Sequence, residues 1–384
     1  MNDSKNLILA VALSALVLIG WTWAANRYFP AANPPSTKIE AGKQQALPQP
    51  QPTASAAPKV LQSVAAALAS TPRVQIRTPS LQGSINLKGA AIDDLMLVNQ
   101  HQTIAKNSPP VRLLSPLGAP GASIASFGWT APNGQAPGLD TLWSADSPSL
   151  TPGRPVTLTT QAPNGARYQI KLAVDEGYLF TVQQSVTNAS GQPLSVRPIA
   201  LVSRAGQSAD RSTWQNHTGP IGVFDGKANY DVNWKDLDQG KTEIFQTNSG
   251  WLGFTDKYWL TALAPQSAMS AEFRRSPSGG YQADYALASA SVAPGQSLTT
   301  QSRLFAGAKE KALLDRYENA GIPKLSFAID WGWFYWFMIP IFNLLLWLFH
   351  TLGNFGAAII CLTLIVRAIM FPIASTRWAV ASRA

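Results

Sequence analysis

The chain has 384 residues and a formal charge of +9, yet charged residues make up only 13% of it, about half the share usual in soluble proteins. That length allows about two to three domains. The single cysteine, Cys361, excludes a disulfide framework and a cysteine metal site, and the thin spread of Lys and Arg excludes a basic nucleic-acid arm and leaves membrane lipid as the acidic partner.

Leu7 to Ala25 is 19 residues without a charge, close to the length needed to cross a hydrocarbon layer. It predicts a transmembrane signal-anchor helix over 7–25 after a cytoplasmic stub at 1–6. A cleaved signal peptide is the alternative, but the nearest small-residue site, Ala54-Ser55-Ala56, lies far downstream. Trp21, Trp23 and Tyr28 fall where an interfacial aromatic belt belongs. Residues 26–72 then carry repeated proline among Ala, Gln and Ser, a composition that favours an extended, solvated linker. From 73 to 305 short alternating runs are separated by Gly, Pro, Asn and Asp, which predicts a large antiparallel β-sandwich. One hairpin is explicit: Val156–Leu158 and Tyr168–Leu172 alternate on either side of Pro163-Asn164-Gly165.

A helical connector follows at 306–326, with a short helix over Gly307–Ala320 whose Leu313, Leu314 and Tyr317 face one side and Lys309, Glu310, Asp315 and Glu318 mostly the other. Trp331 to Phe349 is a second uncharged run of 19 residues. Pro340, the polar Asn343 and His350 and the aromatic content throughout favour an amphipathic interfacial helix over 327–352 rather than a span. The last run gives a transmembrane helix at 353–373 and leaves 374–384 beyond it. With two spans, Arg377 and Arg383 return to the cytoplasm, as the positive-inside rule prefers; with three they would end outside.

Arg367 stands in that last run among Ile365, Val366, Ala368 and Ile369. An arginine at a helix centre costs roughly 2.5–3.5 kcal/mol on the insertion scale, so it faces a partner, a cavity or the headgroup level. Two readings stand side by side: a functional charge, or a side chain snorkelling from near the helix end. Thr363, four residues earlier, shares its side of the helix. In the β region no catalytic site assembles. His101 and His217 read as loop or structural histidines, and the adjacent acids Asp93-Asp94 and Asp175-Glu176 point to opposite faces of a strand, which disfavours a glycosidase pair. Phosphate loops, zinc spacings and nucleophile elbows are absent, so no enzyme activity, cofactor or metal is expected. The aromatic segment Trp251–Trp259 reads as core packing, with a recognition surface as the alternative.

Gly250-Trp251-Leu-Gly-Phe-Thr-Asp-Lys-Tyr-Trp259, Asp330-Trp331-Gly332-Trp333, Gly353-Asn354-Phe355-Gly356 and Leu364-Ile365-Val366-Arg367-Ala-Ile-Met370-Phe371-Pro372 resemble the YidC membrane protein insertases of Gram-negative bacteria. The resemblance runs over the whole chain. It implies a multi-pass protein of the bacterial inner membrane with a periplasmic domain of β-supersandwich type, and a hydrophilic groove within the bilayer whose arginine matches Arg367. That charge would attract the acidic or polar tail of a nascent protein while its apolar segment slides into lipid. Implied partners are nascent inner-membrane proteins, the Sec translocon with its accessory proteins, and the ribosome. Thr363 is a candidate for the groove wall by helical face. Two departures are visible: Asn343 and Leu346 stand where the family's surface helix often carries lysines, and the family core has five helices with a cytoplasmic hairpin after the first, where this chain stops as that hairpin begins at 374–384, which is expected of an N-terminal fragment. The alternative function is a membrane-anchored periplasmic β-sandwich that binds carbohydrate or docks a partner protein.

Overall fold

The computed structural model describes residues 61–105, 107–132, 136–209, 217–276, 279–332 and 335–381. The expected anchor at 7–25 and most of the linker expected at 26–72 lie outside them. The end of that linker is ordered: helix α1 (Val64–Ala69) starts on Ser63, whose Oγ accepts from the Ala66 N–H at 3.2 Å, and it buries Ala67.

Alternating sequence then becomes β1 (Arg73–Arg77), β2 (Leu81–Asn86), β3 (Ala91–His101), β4 (Pro110–Leu114) and β5 (Ser123–Thr130). Two short strands, β6 (Ser144–Ala145) and β7 (Ser149–Leu150), precede the meander β8 (Val156–Gln161), β9 (Arg167–Val174) and β10 (Leu179–Thr187). Next come β11 (Leu194–Arg204), β12 (Gly219–Phe224), β13 (Lys227–Asn229) and helix α2 (Trp234–Asp238). The series closes with β14 (Glu243–Thr247), β15 (Gly250–Thr255), β16 (Trp259–Pro265), β17 (Met269–Arg275), β18 (Tyr281–Ala286), β19 (Ala290–Val292) and β20 (Ser297–Ala308).

These strands form two sheets. One has the path β14-β17-β18-β11-β5-β3-β2-β1-β7, with β19 on β11 and β4 on β3; the other runs β13-β12-β15-β16-β20-β10-β9-β8-β6. Pairing is antiparallel except between β1 and β7. The period-2 pattern buries one face of strands such as β9, with Tyr168, Ile170, Leu172 and Val174 inward, whereas β15 is buried on both faces. The two faces meet in one core: Trp129 of the first sheet packs edge-on against Tyr168 of the second at 5.0 Å. Gln184 on β10 crosses the same core, its Nε2 donating to the carbonyls of Gly128 at 2.7 Å and Ile199 at 3.3 Å. Burying that amide is tolerable because its donors are met.

The predicted hairpin is β8–β9, with Leu158 opposite Ile170. Its turn differs from a two-residue Asn-Gly loop. Gly165 alone takes a positive φ, +87°, while the Asn164 Oδ1 accepts from the Ala166 N–H at 3.0 Å; the result is a three-residue loop with glycine at the left-handed position.

Asp93 and Asp94 depart from the alternation assumed for them. The β2–β3 register slips so that Ser84 faces Asp94 and Ile85 faces Ile92, leaving Asp93 as the extra residue of a bulge. Both carboxylates are thereby buried, each on its own arginine: Asp93 with Arg73, Asp94 with Arg112. Asn86 Nδ2 donates to Asp93 at 3.1 Å and Ser84 Oγ to Asp94 at 2.7 Å. Burial pushes the Asp93 carboxyl up, against the pull of Arg73.

Beyond the sandwich, helix α3 spans Lys311–Asn319, not Gly307–Ala320, because Gly307 and Ala308 still pair with β16 as the end of β20. Helix α4 covers Tyr335–Leu352, with Pro340 inside it, and α5 covers Phe355–Ala381. The last helix thus runs past the end expected at 373.

Candidate functional site

Two regions bring chemically useful groups together. The first is the bend between α4 and α5. Gly353 has φ +65°, a conformation that costs glycine little and ends α4, and its N–H donates to the Phe349 carbonyl at 2.8 Å. Asn354 caps α5, its Oδ1 accepting from the Ala357 N–H at 3.1 Å. Leu348 and Ala358 are buried beside the bend, and the Phe349 and Phe355 rings meet at 5.6 Å. Away from the bend, Trp336, Phe337, Ile360, Leu364, Ile369 and Phe371 are exposed. By length and composition α4 can cross a membrane, and Phe355–Phe371 is a shorter apolar stretch.

Arg367 and Thr363 are both exposed on one side of α5. Thr363 Oγ1 donates to the Ile359 carbonyl at 2.8 Å, so its hydroxyl is satisfied within its own helix. Among the described residues Arg367 forms no ion pair. The helix therefore presents a guanidinium among exposed apolar side chains such as Leu364, Ile369 and Met370.

The second region is a cleft of about 890 Å³ where strand ends of the sandwich meet α4. Tyr258 and Trp259 line it from the β15–β16 turn, Lys309 and Glu310 from the end of β20, and Asp330, Trp331 and Phe342 from the far side. The aromatic segment Trp251–Trp259 is thus divided. Trp251 is fully buried with its Nε1 donating to the Pro323 carbonyl at 3.1 Å, and Phe254 is buried too, whereas Tyr258 is exposed.

Lys309, expected on the polar side of a helix, is instead half-buried, with Nζ donating to Thr255 Oγ1 at 3.0 Å. Burial pulls its ammonium down to about 8, with Asp256 and Asp330 opposing. In the unfolded chain the group keeps its ordinary value of 10.5, so between those values the unfolded state holds a proton that the native state has lost. Stability from this residue therefore rises with pH across that window, and its penalty is full below about 8. Lys309→Met should stabilise the detergent-solubilised chain at pH 7 by roughly 2 kcal/mol. The gap between variant and wild type should close by about pH 10.5, as read from thermal unfolding across pH.

The remaining candidates are structural. His101 Nδ1 lies 2.8 Å from the Ser108 carbonyl, and His217 Nε2 lies 2.8 Å from that of Pro220, with burial lowering the His217 imidazole. Asp175 closes its own turn by accepting from the Gly177 and Leu179 N–H groups at 3.0 Å, and it accepts from Tyr317 of α3 at 2.6 Å.

Residues 73–344 match the family described as YidC periplasmic domain. A protein from Zymomonas mobilis named membrane protein insertase YidC is 42% identical over 98% of this chain and 66% of its own length. One of the same name from Beijerinckia indica is 39% identical over 97% of this chain and 66% of its own. The chain spans about two thirds of the length of the curated relatives it matches. A galactose mutarotase related enzyme from Lactobacillus acidophilus aligns with 61% of this chain and 97% of its own at a TM-score of 0.42 and 11% identity, a likeness too distant to carry an argument. The chain belongs to the YidC membrane protein insertase family.

Proposed function

We propose that this chain takes part in inserting and folding proteins of the bacterial inner membrane; its relatives are named membrane protein insertases. The observation that carries the proposal is the exposed Arg367, without an ion pair among the described residues, on a mostly apolar helix in a chain that aligns with named insertases over nearly its whole length. In this account Arg367 lines a hydrophilic groove with Thr363 beside it, and draws in an acidic or polar client tail before the apolar segment passes to lipid. Nascent inner-membrane proteins are the clients, and the Sec translocon, its accessory proteins and the ribosome are partners. The protein is multi-pass, with α5 spanning and α4 lying at the outer interface. No bond is made or broken, since burial of the client's apolar segment supplies the free energy.

The test is insertion of a single-span client with an acidic tail, read by protease protection in vesicles carrying the native gene product. Arg367→Ala should lower insertion about tenfold, the scale expected for one charge in a low-dielectric groove. Arg367→Lys should keep most of it. Unchanged insertion in Arg367→Ala would remove the groove charge from the mechanism and favour an anchored β-sandwich that binds carbohydrate or docks a partner.

A further inference from the structure

The cleft beside α4 holds both signs of charge with unfilled hydrogen-bonding capacity. An ammonium has three donors, and the Lys309 Nζ has one partner among the described residues, Thr255 Oγ1. On the opposite sign, Glu310 Oε1 accepts from Tyr178 at 3.2 Å and Gln100 at 3.3 Å, and Asp330 Oδ1 accepts from the Gly332 N–H at 2.8 Å. Among the described residues, the second oxygen of each carboxylate accepts no hydrogen bond. A simple anion would meet repulsion from Glu310 and Asp330, and a simple cation from Lys309. A zwitterion answers both.

The cleft volume falls within the roughly 300–1,000 Å³ usual for small-molecule sites. Its α4 wall, Phe342, belongs to a helix whose first residues Tyr335, Trp336 and Phe337 are exposed, the residue types of a membrane-interface belt. The rings do not form an open cage for a quaternary ammonium. Lys257 Nζ already stands 5.1 Å from the Tyr258 ring, and Trp331 packs edge-on with Phe342 at 5.2 Å. Recognition of the positive end is left to the carboxylates, which need N–H donors.

We propose that this cleft binds the headgroup of an amine-bearing phospholipid, with phosphodiester oxygens on Lys309 and the primary ammonium on Glu310 and Asp330. The acyl chains leave along the apolar surface of α4. The proposal rests on α4 lying at the membrane, and it is independent of client insertion by Arg367.

Native mass spectrometry of the whole chain in phospholipid-free detergent tests it. Equal amounts of phosphatidylethanolamine, phosphatidylcholine and phosphatidylglycerol with identical acyl chains are added. Phosphatidylethanolamine should be retained about fivefold over the other two, the discrimination expected from charge-assisted bonds that only its headgroup completes. Lys309→Met and Asp330→Asn should each bring its retention to the phosphatidylcholine level. Lys309→Met is expected to be more stable than wild type, so loss of binding there cannot be laid to unfolding. Soluble glycerophosphoethanolamine, which needs no membrane contact, should compete weakly. If it binds as tightly as the lipid, the site takes a free phosphoethanolamine and the lipid source is overturned. Equal retention of all three lipids, or retention unchanged by Lys309→Met, overturns the proposal.

Discussion

Gly253→Ala should destabilise the β region by about 3 kcal/mol or more, and Gly253→Val should prevent its folding. Gly253 lies in β15 between two strands, paired with Ile221 on one side and Ala262 on the other. A Cβ there would stand 2.0 Å from the Thr261 carbonyl oxygen and 2.8 Å from the Ala262 Cα. Both obstacles are backbone of the neighbouring strand, so no side chain can rotate away. Relief requires β15 and β16 to separate where every residue of β15 is buried, Trp251 among them. Tryptophan fluorescence during urea unfolding of the detergent-solubilised chain reads the loss. Wild-type stability in Gly253→Ala would mean that this strand pair is looser than described.

The second large effect is expected at the paired acids. Arg73→Met leaves the Asp93 carboxylate buried without its cation, and removing one partner of a buried pair costs about 3–5 kcal/mol. The Arg73 and Asp93 side chains are 7% and 5% exposed, so little water can replace the lost partner. Asn86 still donates to Asp93 and limits the loss to the lower part of that range. The double variant Arg73→Met with Asp93→Leu should recover most of the stability, because two apolar chains of similar size replace two charges without stranding either. The same unfolding measurement separates the outcomes. A double variant no better than Arg73→Met would show that the bulge itself depends on the aspartate.

Much of the architecture was legible in the chain. Alternation and turn residues predicted a large β-sandwich, and they located the β8–β9 hairpin, since both signals are local. The apolar runs after Trp331 predicted the helices near Arg367. The Asp93 bulge was not legible, because nothing in Ile92-Asp93-Asp94-Leu95 marks one residue as extra; the slip appears only against Ser84 and Ile85 of the partner strand. Lys309 was misplaced for a related reason. Lys309 and Glu310 fit a helical pattern with Leu313 and Tyr317, while the pairing that keeps Gly307 and Ala308 in β20 comes from β16, more than forty residues earlier. The cleft joins strand ends, a turn, the connector and α4, segments that no window along the chain shows together. Arg367 and Thr363 were singled out from composition and helical spacing, and the groove role proposed for them came from the family resemblance.

The place of β20 has a consequence for synthesis. It lies between β16 and β10, pairing Leu263 with Leu304 on one side and Val182 with Ser302 on the other. Until residues 297–308 leave the ribosome, β10 has an open edge, and the second sheet exists as two separate parts. More than a hundred residues of chain must therefore wait in a partly paired state, the condition in which exposed strand edges aggregate. Closure depends on contacts remote in sequence and is slow relative to the local bend at Gly353. The helices can be in place before the sandwich shuts, and a translational pause just before β20 would lengthen the vulnerable interval more than one placed anywhere after it.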